Sequence, residues 1–170
     1  MALQVDRAAE ETFRQLLGLL RTKREDAGLS QERLSSRLLV RRGTVFEWET
    51  GVGRPTMRNL ILWSRELGLR LAVVDPEGNE RHGFSKGIIG EAPEARELRR
   101  MAIPLKNRRL ARKLTLVELS RAIGMDRNSL LRWERARVTP RPMALVVWAQ
   151  ALGYSVALRP IGPGSERGRR

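Results

Sequence analysis

The chain has 170 residues, 41% of them hydrophobic, with 33 Lys and Arg against 19 Asp and Glu, a formal net charge of +14 and a pI near 11.6. That length allows two small domains or one medium one, and no apolar run approaches the ~20 residues a membrane-spanning helix needs. The lack of cysteine excludes disulfides and thiolate metal sites, and the positive field favours a polyanionic partner, nucleic acid first.

Residues 1 to 6 lack the basic-then-apolar shape of a signal peptide, so the expected location is cytoplasmic, at the nucleoid. From about Asp6 to Ala27, Ala9, Phe13, Leu16, Leu17 and Leu20 recur at helical spacing, with acids early and bases late, and Gly28 stops the run. Ser30 caps a short helix reaching about Leu39. A third helix is predicted from about Arg42 to Glu49, then a Gly51–Pro55 loop. A fourth helix carries Leu60, Trp63 and Leu67 and ends at Gly68. Leu69–Val74 alternates with period two, as a strand does.

Residues 75–93 are rich in glycine and charge and read as a linker. His82, the single histidine, lies there as a solvated side chain. The same series then returns: helices near Glu94–Lys113, Thr115–Ile123, Arg127–Arg135 and Arg141–Leu152, and a strand over Tyr154–Leu158. Residues 161–170 read as a disordered basic tail.

The return is an ungapped repeat at an offset of 85 positions. Residues 20–73 align with 105–158 and 14 of 54 positions are identical, including Trp48/Trp133, Glu49/Glu134, Pro55/Pro140 and Gly68/Gly153. One structural unit has been made twice. The division that follows is 1–74 for a first unit with its strand, 75–93 for a linker and 94–160 for a second unit. The second is the more basic, with 14 Lys and Arg against 3 acids over 99–159, compared with 12 against 6 over 14–74.

Within the second copy, Leu114–Glu134 reads as a helix, a tight turn at Gly124, an N-cap at Asp126 and another helix. Leu119, Ile123, Met125, Leu130 and Trp133 fall where two short crossed helices touch. This segment resembles the helix-turn-helix of the lambda-repressor/Cro (xenobiotic-response-element) family, over about 55 residues of each copy. The resemblance implies a mainly α fold: two such domains in tandem, each followed by a short strand, with the strands pairing into a small antiparallel sheet. It also implies an internal salt bridge between Arg24 and Glu49 and another between Arg109 and Glu134. The tryptophan pairs are assigned to the core, on their apolar stripes.

In this motif the second helix enters the major groove. Arg127, Asn128, Ser129 and Arg132 then face DNA, the arginines and the asparagine able to read base edges and Ser129 placed at phosphate. The first copy departs from the pattern: Leu39 stands at the turn glycine and Arg41 at the N-cap. Its outward set is Arg42, Gly43, Thr44 and Glu47, the last repelling phosphate or reading only a cytosine amino group. Gln31 matches the family's phosphate-contacting glutamine. Arg54, Arg137 and Arg141 are expected at the backbone.

The expected activity is sequence-specific binding of double-stranded DNA, as a repressor-like regulator working as a pseudo-dimer on an imperfect inverted repeat. The alternative is an antitoxin-like or scaffold protein that uses one repeat to hold a partner protein. Strands Leu69–Val74 and Tyr154–Leu158 should pair within the chain; the competing arrangement pairs them in a homodimer. No enzymatic constellation, metal-ligand spacing or cofactor motif is present, and no membrane partner is expected.

Overall fold

The computed structural model describes residues 2–83 and 88–162. Among these are eight helices and three strands. The first repeat comprises α1 (Arg7–Asp26), α2 (Gln31–Arg37), α3 (Thr44–Thr50), α4 (Met57–Glu66) and β1 (Leu69–Val74). A short β2 (Glu80–Arg81) follows, and the second repeat comprises α5 (Pro93–Ala111), α6 (Leu116–Ile123), α7 (Arg127–Glu134), α8 (Pro142–Ala151) and β3 (Ser155–Pro160). The basic tail lies outside the described residues from 163 onward.

Three of the first repeat's four helices begin where the sequence supplies an acceptor. Asp6 accepts from the Ala9 amide at 2.7 Å, Ser30 from Arg33 at 3.1 Å and Thr56 from Asn59 at 3.2 Å; each satisfies a donor that the first helical turn leaves without a partner. The expected helix at Arg42 starts instead at Thr44. Arg41 offers no capping oxygen, and Gly43, with φ of +88°, takes the N-cap position without a side-chain bond. Arg42 and Gly43 therefore lie in a turn ahead of the helix.

One continuous hydrophobic core runs through both repeats. It includes Phe13, Leu34, Trp48 and Trp63 from the first and Leu105, Leu119, Trp133 and Trp148 from the second. Trp48 stacks on Trp63 at 5.6 Å between ring centroids, and Trp133 meets Trp148 at 5.9 Å. The repeats are interlocked: α1 packs on α8, and α4 on α5. Each unit buries part of its apolar face on the other, as domains of this size require.

The sheet has the order β2-β1-β3, both pairings antiparallel. β1 and β3 pair within the chain over six residues, from Leu69 opposite Pro160 to Val74 opposite Ser155. The second strand is thus displaced slightly from the expected Tyr154–Leu158. Ala72 faces Ala157, its own counterpart in the repeat, so a pseudo-two-fold axis passes between these two alanines. β3 covers one edge of β1 along its whole length, and β2 covers the other edge at Val73 and Val74.

The stretch expected as linker is partly built into the fold. Asp75 accepts from the Asn79 amide at 2.8 Å and pairs with Arg81 at 2.7 Å, folding the chain back so that β2 lies beside β1. Pro104, inside α5, cannot donate to the Arg100 carbonyl one turn earlier. The Gly83 amide donates to that carbonyl instead, at 3.2 Å. A Cβ on Gly83 would overlap Ile103, so the loop lies on the helix only because residue 83 has no side chain.

Candidate nucleic-acid interface

In the second repeat the motif is fully capped. Thr115 accepts from the Glu118 amide at 3.1 Å, while the Glu118 carboxylate receives the Thr115 amide at 2.7 Å. This reciprocal box fixes the start of α6. Gly124, at φ of +70°, ends it, and Asp126 caps α7 by accepting from the Ser129 amide at 2.9 Å. Hydrogen bonds from Ser129 hold the Asp126 carboxyl below the usual carboxylate range. Leu130 and Trp133 anchor α7 in the core. Its opposite face presents Arg127, Asn128 and Arg132 to solvent, with Ser129 half-buried.

Arg137 and Arg141, in the loop after α7, are also exposed. Among the described residues none of Arg127, Arg132, Arg137 and Arg141 has an acidic partner. Arg135 was not singled out in the sequence. It is exposed, has no acidic partner among the described residues and stands just past the end of α7, three residues beyond Arg132. The signal for it was the continuation of an acid-free stripe at helical spacing.

The first repeat keeps the backbone plan but neutralises the equivalent surface. Arg41 pairs with Glu47, Arg42 with Glu32 at 3.4 Å and Arg54 with Glu10 at 3.1 Å. Arg54 also lies over the Phe13 ring at 5.9 Å. Thr44, as first residue of α3, is half-buried. Gln31 donates from Nε2 to Glu49 at 2.6 Å, which ties one of its two amide hydrogens to the interior. In the second repeat Val117 and Arg132 stand at the positions of Glu32 and Glu47, which removes both acids.

The two internal salt bridges implied by the resemblance are present with matching geometry. Arg24 forks onto Glu49 at 2.6 and 2.9 Å, and Arg109 onto Glu134 at 2.6 and 2.9 Å. A third donor of each arginine reaches a carbonyl, Leu29 at 2.8 Å and Leu114 at 2.7 Å. The hydrogen bonds to Glu49 and Glu134 raise the arginine pKa values further above their ordinary high range. Because both glutamates are almost fully buried, breaking either pair by removing one partner strands a charge in the core, at a cost of about 3–5 kcal/mol. These four residues tie the first helix of each repeat to the end of its reading helix.

A segment that sequence periodicity did not single out joins the repeats at this surface. Residues 2–5 leave α1 and cross to the second repeat, where the Gln4 amide donates to the Ile123 carbonyl at 2.9 Å. A Cβ at Gly124 would overlap the Ala2 carbonyl oxygen. Gly124 thus serves twice, for its positive φ and for the close passage of this strap. Arg58 of α4 pairs with Glu94 of α5 at 3.0 Å, a further tie between the units.

Two helix-turn-helix units packed about one pseudo-two-fold, one with a basic face that has no acidic partner among the described residues, make this a tandem DNA-binding protein by class. A helix-turn-helix family model matches the chain twice, over residues 20–74 and 105–158, more than half of its length. The chain belongs to that family, of the xenobiotic-response-element type. No curated protein and no solved structure matches the chain. Among the described residues no helix is long and apolar enough to cross a membrane.

Proposed function

We propose that this DNA-binding regulator is repressor-like and reads an imperfect inverted repeat as a single-chain pseudo-dimer, with the second repeat as principal reader. Residues 1–74 and 94–160 act as two reading units joined through 75–93, and the protein works at the nucleoid. The observation that carries this reading is the contrast in pairing: among the described residues Arg127, Arg132, Arg137 and Arg141 around α7 have no acidic partner, whereas Arg41, Arg42 and Arg54 around α3 are matched with acids. Arg127, Arg132 and Asn128 are suited to bidentate contact with guanine or adenine, each worth about 1–3 kcal/mol of discrimination. Ser129, Arg137 and Arg141 hold the backbone. Arg41, Arg42, Thr44, Gln31 and Arg54 add a weaker, mainly electrostatic contact on the other half-site, and Glu47 limits it. If the pseudo-two-fold is matched by the DNA, half-site centres lie ~34 Å apart.

Selection of bound sequences from random duplexes, with native mass measured on the complex, tests this. The expected result is one chain per site, with one half-site far richer in sequence information than the other. Binding without sequence preference under competitor DNA would overturn it.

A second reading, a repeat that holds a protein partner, is favoured by one observation. Leu39 is 92% exposed, Val52 80% and Phe46 52%, all in the first repeat around the surface that is basic in the second. A stoichiometric partner that survives nuclease treatment and is lost on Val52→Glu would support it; retention unchanged by that substitution would count against it.

A further inference from the structure

A cleft of about 850 Å³ opens on the seam between the repeats. Its rim comes from the N-terminal strap and the loops leading into α4 and α8, and Phe13 of α1, Glu94 of α5, Met125 just before α7 and Trp133 of α7 add to its walls. Pro55 and Pro140, equivalent in the repeat, both line it, as do Met57 and Pro142. The cleft therefore straddles the same pseudo-two-fold that runs between Ala72 and Ala157.

The interior is apolar, formed by Leu3, Phe13, Met125, Trp133, Met143 and Ala144. Three guanidinium groups line it, those of Arg54, Arg58 and Arg141, against one carboxylate, Glu94. Arg58 is held by Glu94 and Arg54 by Glu10, while Arg141 has no partner among the described residues. The space is of the size that takes a small molecule, and the pattern of apolar walls with a few convergent polar groups is that of a ligand site.

We propose that this cleft binds a small amphipathic carboxylate, its apolar body against Met125, Trp133 and Met143 and its head paired with Arg141. The unbalanced positive charge of the lining selects an anion over a cation or a neutral molecule of the same length, because a carboxylate gains a charge-assisted bidentate partner in arginine. Binding is antagonistic to DNA, since the ligand takes Arg141 away from the phosphate contact assigned to it above. The ligand site itself does not depend on that reading; the antagonism does.

The probe is decanoate below its micellar range, added to the full chain without DNA and followed by calorimetry. Decanol and decyltrimethylammonium serve as neutral and cationic comparisons. Saturable one-to-one binding of decanoate is expected, at least tenfold tighter than either comparison. Arg141→Gln should reduce that preference over decanol tenfold or more. Ala144→Phe fills the interior and should abolish binding; Val5→Trp fills the mouth from the strap, away from the core, and should do so even if the first variant folds poorly. A separate arm measures a bound duplex, whose affinity should fall at least tenfold at saturating decanoate. No saturable binding, equal binding of the three probes, or undiminished binding by a native-like Val5→Trp protein overturns the site. Intact DNA binding with the carboxylate bound overturns the antagonism alone, and failure to bind any duplex overturns the DNA reading without touching the site.

Discussion

Four left-handed backbone positions are shared by the two copies, and the first repeat adds a fifth at Gly43. Gly28 and Lys113 share one, Leu39 and Gly124 a second, Gly51 and Ala136 a third, Gly68 and Gly153 the fourth. Only the last has glycine in both. A left-handed conformation costs a residue with a Cβ roughly 1–2 kcal/mol, part of which is recovered because glycine is freer when unfolded. Leu39→Gly and Ala136→Gly should therefore each stabilise the protein, by about 0.5–1 kcal/mol, read as a raised urea midpoint at constant slope. At the mirror positions, Gly51→Ala should destabilise by a similar amount, and Gly124→Ala by more, because the strap must also move.

Two carboxylates make the reading motif of the second repeat sensitive to acid. Bonds from the Ser129 side chain and amide depress the Asp126 pKa, and the bond from the Thr115 amide depresses that of Glu118. A depressed carboxyl contributes stability that is complete above its unfolded value, near pH 4, and is lost as pH falls through the lower folded value. Stability measured by urea unfolding should fall below about pH 4. Asp126→Asn, which can still cap, should flatten part of that fall.

At the scale of elements, α3 and α7 occupy equivalent places and differ in length, cap and charge. Arg127→Ala should cost about 1–3 kcal/mol on the preferred half-site and relax its sequence preference. Arg42→Ala should cost under about 0.5 kcal/mol, because exposed pairs of its kind contribute little. Arg137→Ala should weaken all duplexes alike and reduce the salt slope by about 1. Competition binding over a salt series separates the three.

The elements also mark what a sequence can disclose. Eight helices and the β1–β3 pair were legible because apolar spacing, capping residues and the repeat agree on them. The late start of α3 was half visible, since Arg41 plainly could not cap, yet nothing local marked Gly43 as the residue that takes the cap position. β2 and the strap were not legible. Residues 2–5 and 80–81 carry no periodic pattern, and their places are set by tertiary bonds, to Ile123 for the strap and to Val73, Val74 and Asp75 for β2, that no local rule anticipates. The acids that pair with the first repeat's arginines were visible one by one. Their partners were not, because Glu10 and Glu32 lie far along the chain from Arg54 and Arg42.

For the whole molecule, the pairing of Ala72 with Ala157 gives a direct check. Ala72→Cys with Ala157→Cys should form a disulfide under mild oxidation in a species of monomer mass, at any protein concentration. Crosslinks found only in dimers would contradict the strand register. The shared core predicts a further coupling: the halves should unfold in one transition, since α1 covers α8 and α4 covers α5. Calorimetric and van't Hoff enthalpies should agree; two separated transitions would show independent units.

The strand pair has one more outcome, in dose rather than in shape. A regulator assembled from separate subunits loses its active form on dilution, so target occupancy falls with the square of subunit concentration once assembly fails. On the proposed single-chain reading, both heads are made by one ribosome on one polypeptide and joined at β1 and β3. Occupancy should follow the first power of concentration down to a few molecules per cell, and each head is free to drift in sequence without its twin having to follow.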